Sequence, residues 1–276
     1  MLLKKVDGPV TRFKMARTFF GKPWYFTAAF CYEEVLIDTG CPRTAKELLI
    51  AVREIPILQI VCTHAHEDHF GGAGPLKEER GVPVKAHPKA LPIMANPREM
   101  DLRLFQRQFW GIPEPVKAEP LSDTLEVGDK MFEVIETPGH SPDHIVLYER
   151  ATGFLFSGDV VVGGLDRSLR ADYDIWGILD SLRKLLALDL NVIYSGSGRI
   201  IQEPQTVLKG HITSVETQAA RVQQEFEDGQ SIKIIAKRIK RDAKKRGHSL
   251  GWVEKITRGF ISTENLVRSF LKLPPQ

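Results

Sequence analysis

The chain has 276 residues, 42% hydrophobic and 26% charged, with a formal net charge of +3. That length suits one large α/β domain with an appendage, or two small domains. No apolar run reaches the ~18–20 residues that span a bilayer, and Met1-Leu2-Leu3-Lys4-Lys5 opens no stretch resembling a secretory signal, so a cytoplasmic protein with no membrane partner is expected.

In chain order, Phe26–Cys31 and Glu34–Ile37 read as paired strands. Thr44 and Glu47 have the spacing of a capping box, which predicts a helix from Ala45 to before Pro56. Ile57–Cys62 is a short apolar run of the buried-strand kind. It leads into Thr63-His64-Ala65-His66-Glu67-Asp68-His69 and then a glycine-rich turn, with a helix over Gly74–Arg80. Pro83–His87 reads as a short strand that puts His87 at the surface or a rim. Residues 88–120 hold six prolines among Met94, Met100, Phe105, Phe109 and Trp110, the mark of a substrate loop or of a helical insertion packed on the core. Strands follow at Phe132–Glu136, Ile145–Glu149 and Gly153–Phe156. Asp174 caps a helix to about Leu188, whose Leu179, Leu182, Leu185 and Leu186 share one face. Val192–Tyr194 is the last strand, and the chain from about residue 205 reads as helical.

The densest chemistry lies at the end of the Ile57–Cys62 strand. His64, His66, Asp68 and His69 are four metal-ligand side chains within six residues, on a strand-to-helix connection of the kind that forms α/β active sites. Imidazole and carboxylate suit zinc, iron or manganese. Cys31, Cys41 and Cys62 have no paired spacing and read as reduced, mostly buried thiols, with Cys41 following the Asp38 loop.

Four segments resemble, in order, the motifs of the metallo-β-lactamase superfamily. They are Val35-Leu36-Ile37-Asp38-Thr39-Gly40, the His64–His69 stretch, Thr137-Pro138-Gly139-His140-Ser141-Pro142-Asp143-His144, and Phe156-Ser157-Gly158-Asp159. Its hydroxyacylglutathione hydrolase-like and β-lactamase-like members are similar to this chain in length and helical tail. The resemblance implies an αββα sandwich with ligand loops along one edge, as a catalytic domain over residues 1–204, and a helical extension over 205–276. It implies that His64, His66 and His140 hold one metal, that Asp68 and His69 hold a second, and that Asp159 bridges them. Asp38 would orient the histidine loop, and His144 would stabilise an oxyanion or support the ligands. The family's last ligand histidine falls at Ser197, and a hydroxyl is a poor zinc ligand beside imidazole. His211 is the candidate replacement, and a one-metal site is the alternative.

The activity so implied is hydrolysis of an ester-, thioester- or phosphodiester-type bond by a metal-activated water, with one or two zinc ions and with Asp68 or Asp159 handling the proton. Alternatives are a mononuclear iron dioxygenase using His64, His140 and Asp159 on a thiol or persulfide, an RNA-processing nuclease, and a binding protein without catalysis. Residues 225–276 carry 12 Lys+Arg against 6 Asp+Glu, and an apolar stripe of Ile232, Ile235, Ala236, Ile239 and Ala243 backs a basic face. This asymmetry suits a phosphate-bearing small molecule such as a coenzyme A thioester, or a nucleic acid, or else a solvated helix face. The pattern also leaves room for a homodimer.

Overall fold

The computed structural model describes residues 1–19, 22–248 and 251–275. By its contacts the chain forms two compact units. The first is Met1–Glu136, Pro142–Asp159 and Asp189–Pro204; the second is Thr137–Ser141, Val160–Leu188 and Gln205–Gln276.

The first unit begins with an antiparallel hairpin, β1 (Leu2–Asp7) and β2 (Val10–Phe19), which the sequence reading did not anticipate. Val10, Phe13 and Met15 of β2 are buried, while Lys4 and Lys5 of β1 and Arg12 and Lys14 of β2 interrupt the apolar pattern that marks a strand. The sheet continues through β3 (Lys22–Tyr32), β4 (Val35–Ile37), β5 (Gln59–Cys62), β6 (Val84–Ala86) and β7 (Glu119–Pro120) in chain order. From β4 to β7 the strands are parallel. Parallel strands need crossovers, and α1 (Ala45–Ala51), α2 (Ala73–Arg80), and the short α3 (Leu91–Ala95) and α4 (Leu104–Phe109) lie in them. Leu48, Leu76 and Met94 from these crossovers join Phe13, Leu36 and Ile60 in one buried core.

The predicted box at Thr44 is not formed. Pro42–Thr44 is a 3-10 turn, and the Thr44 hydroxyl donates to the Cys41 carbonyl at 3.1 Å instead of accepting from the helix. Residues 88–109 hold a series of short helical turns, and residues 111–118 run on without regular structure to β7.

A second sheet is built from β8 (Thr124–Val127), β9 (Lys130–Glu136), β10 (Ile145–Glu149) and β11 (Phe154–Phe156). The chain then passes through the second unit's β12 (Leu169–Arg170) and α5 (Ile175–Leu186) before returning as β13 (Val192–Tyr194) and β14 (Ile200–Ile201). The order is β14-β13-β11-β10-β9-β8, with β11 and β13 parallel. Phe30, Tyr32 and Ile37 of the first sheet share a core with Phe132, Leu147, Phe156 and Tyr194 of the second. The Tyr32 hydroxyl ties the two together, donating to Glu149 Oε2 at 2.7 Å.

The second unit also contains α6 (Pro204–Glu227), α7 (Ile232–Lys245), α8 (Gly251–Ile256), β15 (Ile261–Ser262) and α9 (Thr263–Phe270). Asp174 caps α5 as expected, accepting from the Trp176 amide at 3.0 Å. In α7 the stripe Ile235, Ala236, Ile239 and Ala243 is buried, together with Arg238, which pairs with Glu225 at 3.0 Å. β15 pairs with β12. Among the described residues no helix is long and apolar enough to cross a membrane.

Candidate metal centre

Asp38 follows β4 and Thr63-His64 follows β5, at the C-terminal ends of adjacent parallel strands, where an α/β sheet opens its binding crevice. Asp159 and Ser195 follow β11 and β13 in the same way. The Ile145 amide at the start of β10 donates to the Thr63 carbonyl at 2.9 Å, which joins the two sheets at this edge.

Asp38 organises the histidines. It is 2% exposed and sits at φ 58°, a left-handed conformation that Asp tolerates better than most residues. Its Oδ1 accepts from the Thr63 amide at 2.7 Å, and its Oδ2 accepts from the Thr63 hydroxyl at 2.8 Å. With its proton so used, Thr63 Oγ1 accepts from His64 Nδ1 at 3.0 Å. Asp38 Oδ2 also accepts from His69 Nδ1 at 2.8 Å. Both rings therefore donate from Nδ1, which leaves Nε2 as the nitrogen that a metal ion could meet. Outer carboxylates fix metal-binding imidazoles in this way.

His69 Nε2 lies 3.4 Å from Asp159 Oδ2, yet it is buried without a hydrogen bond of acceptable geometry. His64, His69 and Asp159, all buried, can present one ligand atom each within 4.8 Å of one another. Burial opposes charge on His69, but the carboxylates of Asp159, Asp38 and Asp68 outweigh it and raise its pKa well above the ordinary value. A site that draws a proton so strongly draws a cation by the same field. An unmatched buried nitrogen beside a carboxylate fits a divalent metal ion.

His66 is half-buried, its ring edge-on to His64 with centroids 4.5 Å apart. Its carbonyl accepts from the His69 and Phe70 amides at 2.9 and 3.1 Å, which closes the ligand turn. Asp68 is buried in that turn but lies outside the His64–His69–Asp159 grouping. His144 Nε2 accepts from the Asp159 amide at 3.1 Å, and burial pushes its pKa down to about 3, so the ring is neutral. This bond is to the backbone of a candidate ligand residue, a positioning arrangement. Gly158, at φ 46° between them, has no room for a side chain, because a Cβ would meet His144 Nε2 at 2.7 Å and Thr63 Oγ1 at 2.9 Å.

In the second unit, His140 is buried with its Nε2 3.2 Å from the Tyr173 hydroxyl. His211 lies half-buried on α6 and belongs to no three-ligand grouping among the described residues. Ser197 is half-buried, its hydroxyl 3.2 Å from that of Ser195. The turn that carries it abuts the centre, since a Cβ on Gly196 would collide with Asp159 Oδ1 and His69 Cε1. Cys41 is buried, with Sγ 3.5 Å from Thr44 Oγ1, and burial raises its pKa. His87 is buried rather than at a rim, accepting from the Lys89 amide at Nδ1 and donating from Nε2 to Glu136 at 3.2 Å.

Sequence reasoning gave no role to Thr63, Asp143, Glu67 or Gln106. Thr63 relays Asp38 to His64. Asp143 Oδ2 accepts from the Ala65 amide at 2.7 Å, between the first two histidines. Gln106 donates to Glu67 at 2.8 Å. Thr63, Glu67 and Asp143 lie inside motifs already in view, a signal that could have marked them, whereas Gln106 carried none.

The sequence profile of the metallo-beta-lactamase superfamily matches residues 33–197. An uncharacterized protein of Aquifex aeolicus is 33% identical over 142 residues, covering 48% of this chain and 61% of its own length. Beta-lactamase-like protein 2 homolog of Drosophila melanogaster is 30% identical over 184 residues, covering 62% of this chain and 56% of its own length. Hydroxyacylglutathione hydrolase GloC of Haemophilus influenzae is 30% identical over 175 residues, covering 57% of this chain and 76% of its own length. The chain thus spans little more than half the length of the first two relatives. Among solved structures, a beta-lactamase domain protein from Burkholderia ambifaria superimposes with a TM-score of 0.70 at 18% identity, over 98% of this chain and 87% of that one. That likeness is one of fold.

Proposed function

Because the chain belongs to the metallo-β-lactamase superfamily, whose members are mostly metal-dependent hydrolases, we propose that it hydrolyses an ester- or thioester-type bond at a zinc centre. The observation that carries this reading is the buried His64–His69–Asp159 grouping, with His69 Nε2 unmatched and its Nδ1 held by Asp38. The order of the family's motifs supports His64, His66 and His140 as one ligand set, with Asp68, His69 and Asp159 as the second. A bound divalent ion would lower the pKa of a water to about 7 and polarise the substrate oxygen.

The chain's own residues supply the rest. Asp38, directly at His69 and through Thr63 at His64, holds each imidazole by its Nδ1 proton and leaves Nε2 to the ion. Asp68 or Asp159 would orient the attacking water and take its proton. His144 holds the Asp159 backbone, and Asp143 the Ala65 amide, so the ligand loops keep their geometry as charge develops. Thioesters are favoured within this class because the Haemophilus influenzae relative is named a hydroxyacylglutathione hydrolase and basic residues crowd the tail.

The test is steady-state hydrolysis of a panel of acyl thioesters, lactones and phosphodiesters by zinc-reconstituted protein. Thioester turnover that is lost in Asp159→Asn supports the reading. Turnover of phosphodiesters alone, falling steeply with salt, would move it to a nuclease acting through the basic tail. Ser197 in place of a histidine favours a second reading, a one-metal site. One iron per chain with oxygen uptake on a persulfide would establish that as a dioxygenase.

A further inference from the structure

Helix α4 is amphipathic in the unusual sense. Its one buried side chain is polar, Gln106, while Leu104 is 62% exposed and Phe105 and Phe109 are half-buried. Burial of an amide calls for both of its ends to be matched. Gln106 Oε1 accepts from the Arg103 amide at 3.0 Å, so Nε2 is the end that donates to Glu67 Oε1 at 2.8 Å. Glu67 lies between His66 and Asp68 and is 1% exposed. Its second oxygen is buried with no hydrogen-bond partner among the described residues. Among the described residues the Glu67 carboxyl is therefore held by a single side-chain hydrogen bond, from a segment 39 residues away.

The same helix is fastened on its other side. Trp110, next after α4, accepts at its carbonyl from the Arg43 amide at 3.3 Å, just past the Asp38 loop. Its ring meets Tyr25, Phe105 and Phe109 at centroid distances of 5.4, 6.1 and 5.1 Å. Arg17 of β2 donates to the Gln108 and Phe109 carbonyls at 2.9 and 3.1 Å. The aromatic cluster and the ligand turn are thus joined through a buried side-chain hydrogen bond.

We propose that Gln106 is a positioning residue for the metal centre: its hydrogen bond to Glu67 locks the His66–His69 turn to the aromatic cluster around Trp110, so that metal retention and the arrangement of that cluster depend on each other. The inference rests on the metal reading above. Residues outside the ligand set that hold it in place typically change metal affinity by about 10–100-fold when lost.

The experiment is zinc affinity by chelator competition, with tryptophan emission followed in parallel, on full-length wild type, Gln106→Met, Glu67→Met and the double variant. Trp110→Phe assigns the Trp110 contribution to the emission. Expected results are zinc affinity about tenfold weaker in each single variant, a double variant no worse than either single, and a zinc-dependent Trp110 signal in wild type that Gln106→Met abolishes. Zinc affinity in Gln106→Met equal to wild type, or additive losses in the double variant, would overturn the proposal. The exchange variant Glu67→Gln/Gln106→Glu reverses donor and acceptor and serves even if Gln106→Met does not fold. Affinity within about threefold of wild type supports the bond as the operative element, and a loss of tenfold or more overturns it. Wild type that binds no zinc would fail differently, removing the metal reading itself and this inference with it.

Discussion

The ligand edge of the first unit and the helical tail of the second handle charge in opposite ways. At the edge, Asp38, Asp68, His69, Asp143 and Asp159 are all buried, and Asp38 and Asp143 are held by backbone amides, the Thr63 hydroxyl and His69. In the tail, Lys233, Lys237, Arg241, Lys244 and Lys245 are exposed along α7, and of the charged side chains of α7 only Arg238 is buried, against Glu225. Burying charge costs several kcal/mol per group unless it is matched, whereas surface charge is almost free. The edge is therefore where the sequence commits polar groups to a task, and the tail's charge is compatible with solubility or with loose capture of an anion.

The largest effect should come from breaking the edge at its organiser. Asp38→Ala orphans the Thr63 amide, the Thr63 hydroxyl and His69 Nδ1 together. It should destabilise the fold by about 3 kcal/mol or more and weaken zinc binding at least ~10-fold, as denaturant melts and chelator competition would report. An unchanged melt would remove Asp38 from the centre of the account. Next is Gly158→Ala, where a left-handed φ and two close approaches coincide. It should cost about 1–3 kcal/mol and displace Asp159, so zinc retention should fall with stability.

A third effect is alkaline. Burial pushes the Cys31 thiol up to about 11 and the Tyr194 hydroxyl up to about 12, and raises Tyr148 as well. These folded-state values exceed those of the unfolded chain, so their stability is complete below about pH 9 and is lost as pH rises through 11–12. Melting temperature against pH should decline only above pH 9, and less steeply in Cys31→Ala. The smallest effect belongs to the tail. Replacing Lys233, Lys237, Lys244 and Lys245 with Gln should change stability by less than about 0.5 kcal/mol per residue. A larger loss would show that the tail's charge is structural and that the contrast with the edge is false.

The candidate ligands stand out in the sequence because they are local. His64, His66, Asp68 and His69 fall within one turn, and each of the other motifs follows a strand that its own apolar run announces. Partners were not legible where the chain must travel. Gln106 meets Glu67 across 39 residues, and Ala65 meets Asp143 across 78. Neither pairing leaves a periodicity to read. The β1–β2 hairpin escaped because lysines and arginines interrupt its alternation, and the Thr44 box failed because a nearer carbonyl, that of Cys41, claimed the hydroxyl. Short helices in residues 88–120 carried no helical period long enough to see.

The most direct test of the metal centre is elemental mass spectrometry on wild type and on His69→Ala/Asp159→Asn, each purified without added metal and again after zinc reconstitution and dialysis. The account predicts at least one transition-metal ion per chain in wild type and a clear loss in the variant, with both proteins folded by circular dichroism. Wild type that retains no metal after reconstitution, or a variant that retains as much as wild type, would contradict it.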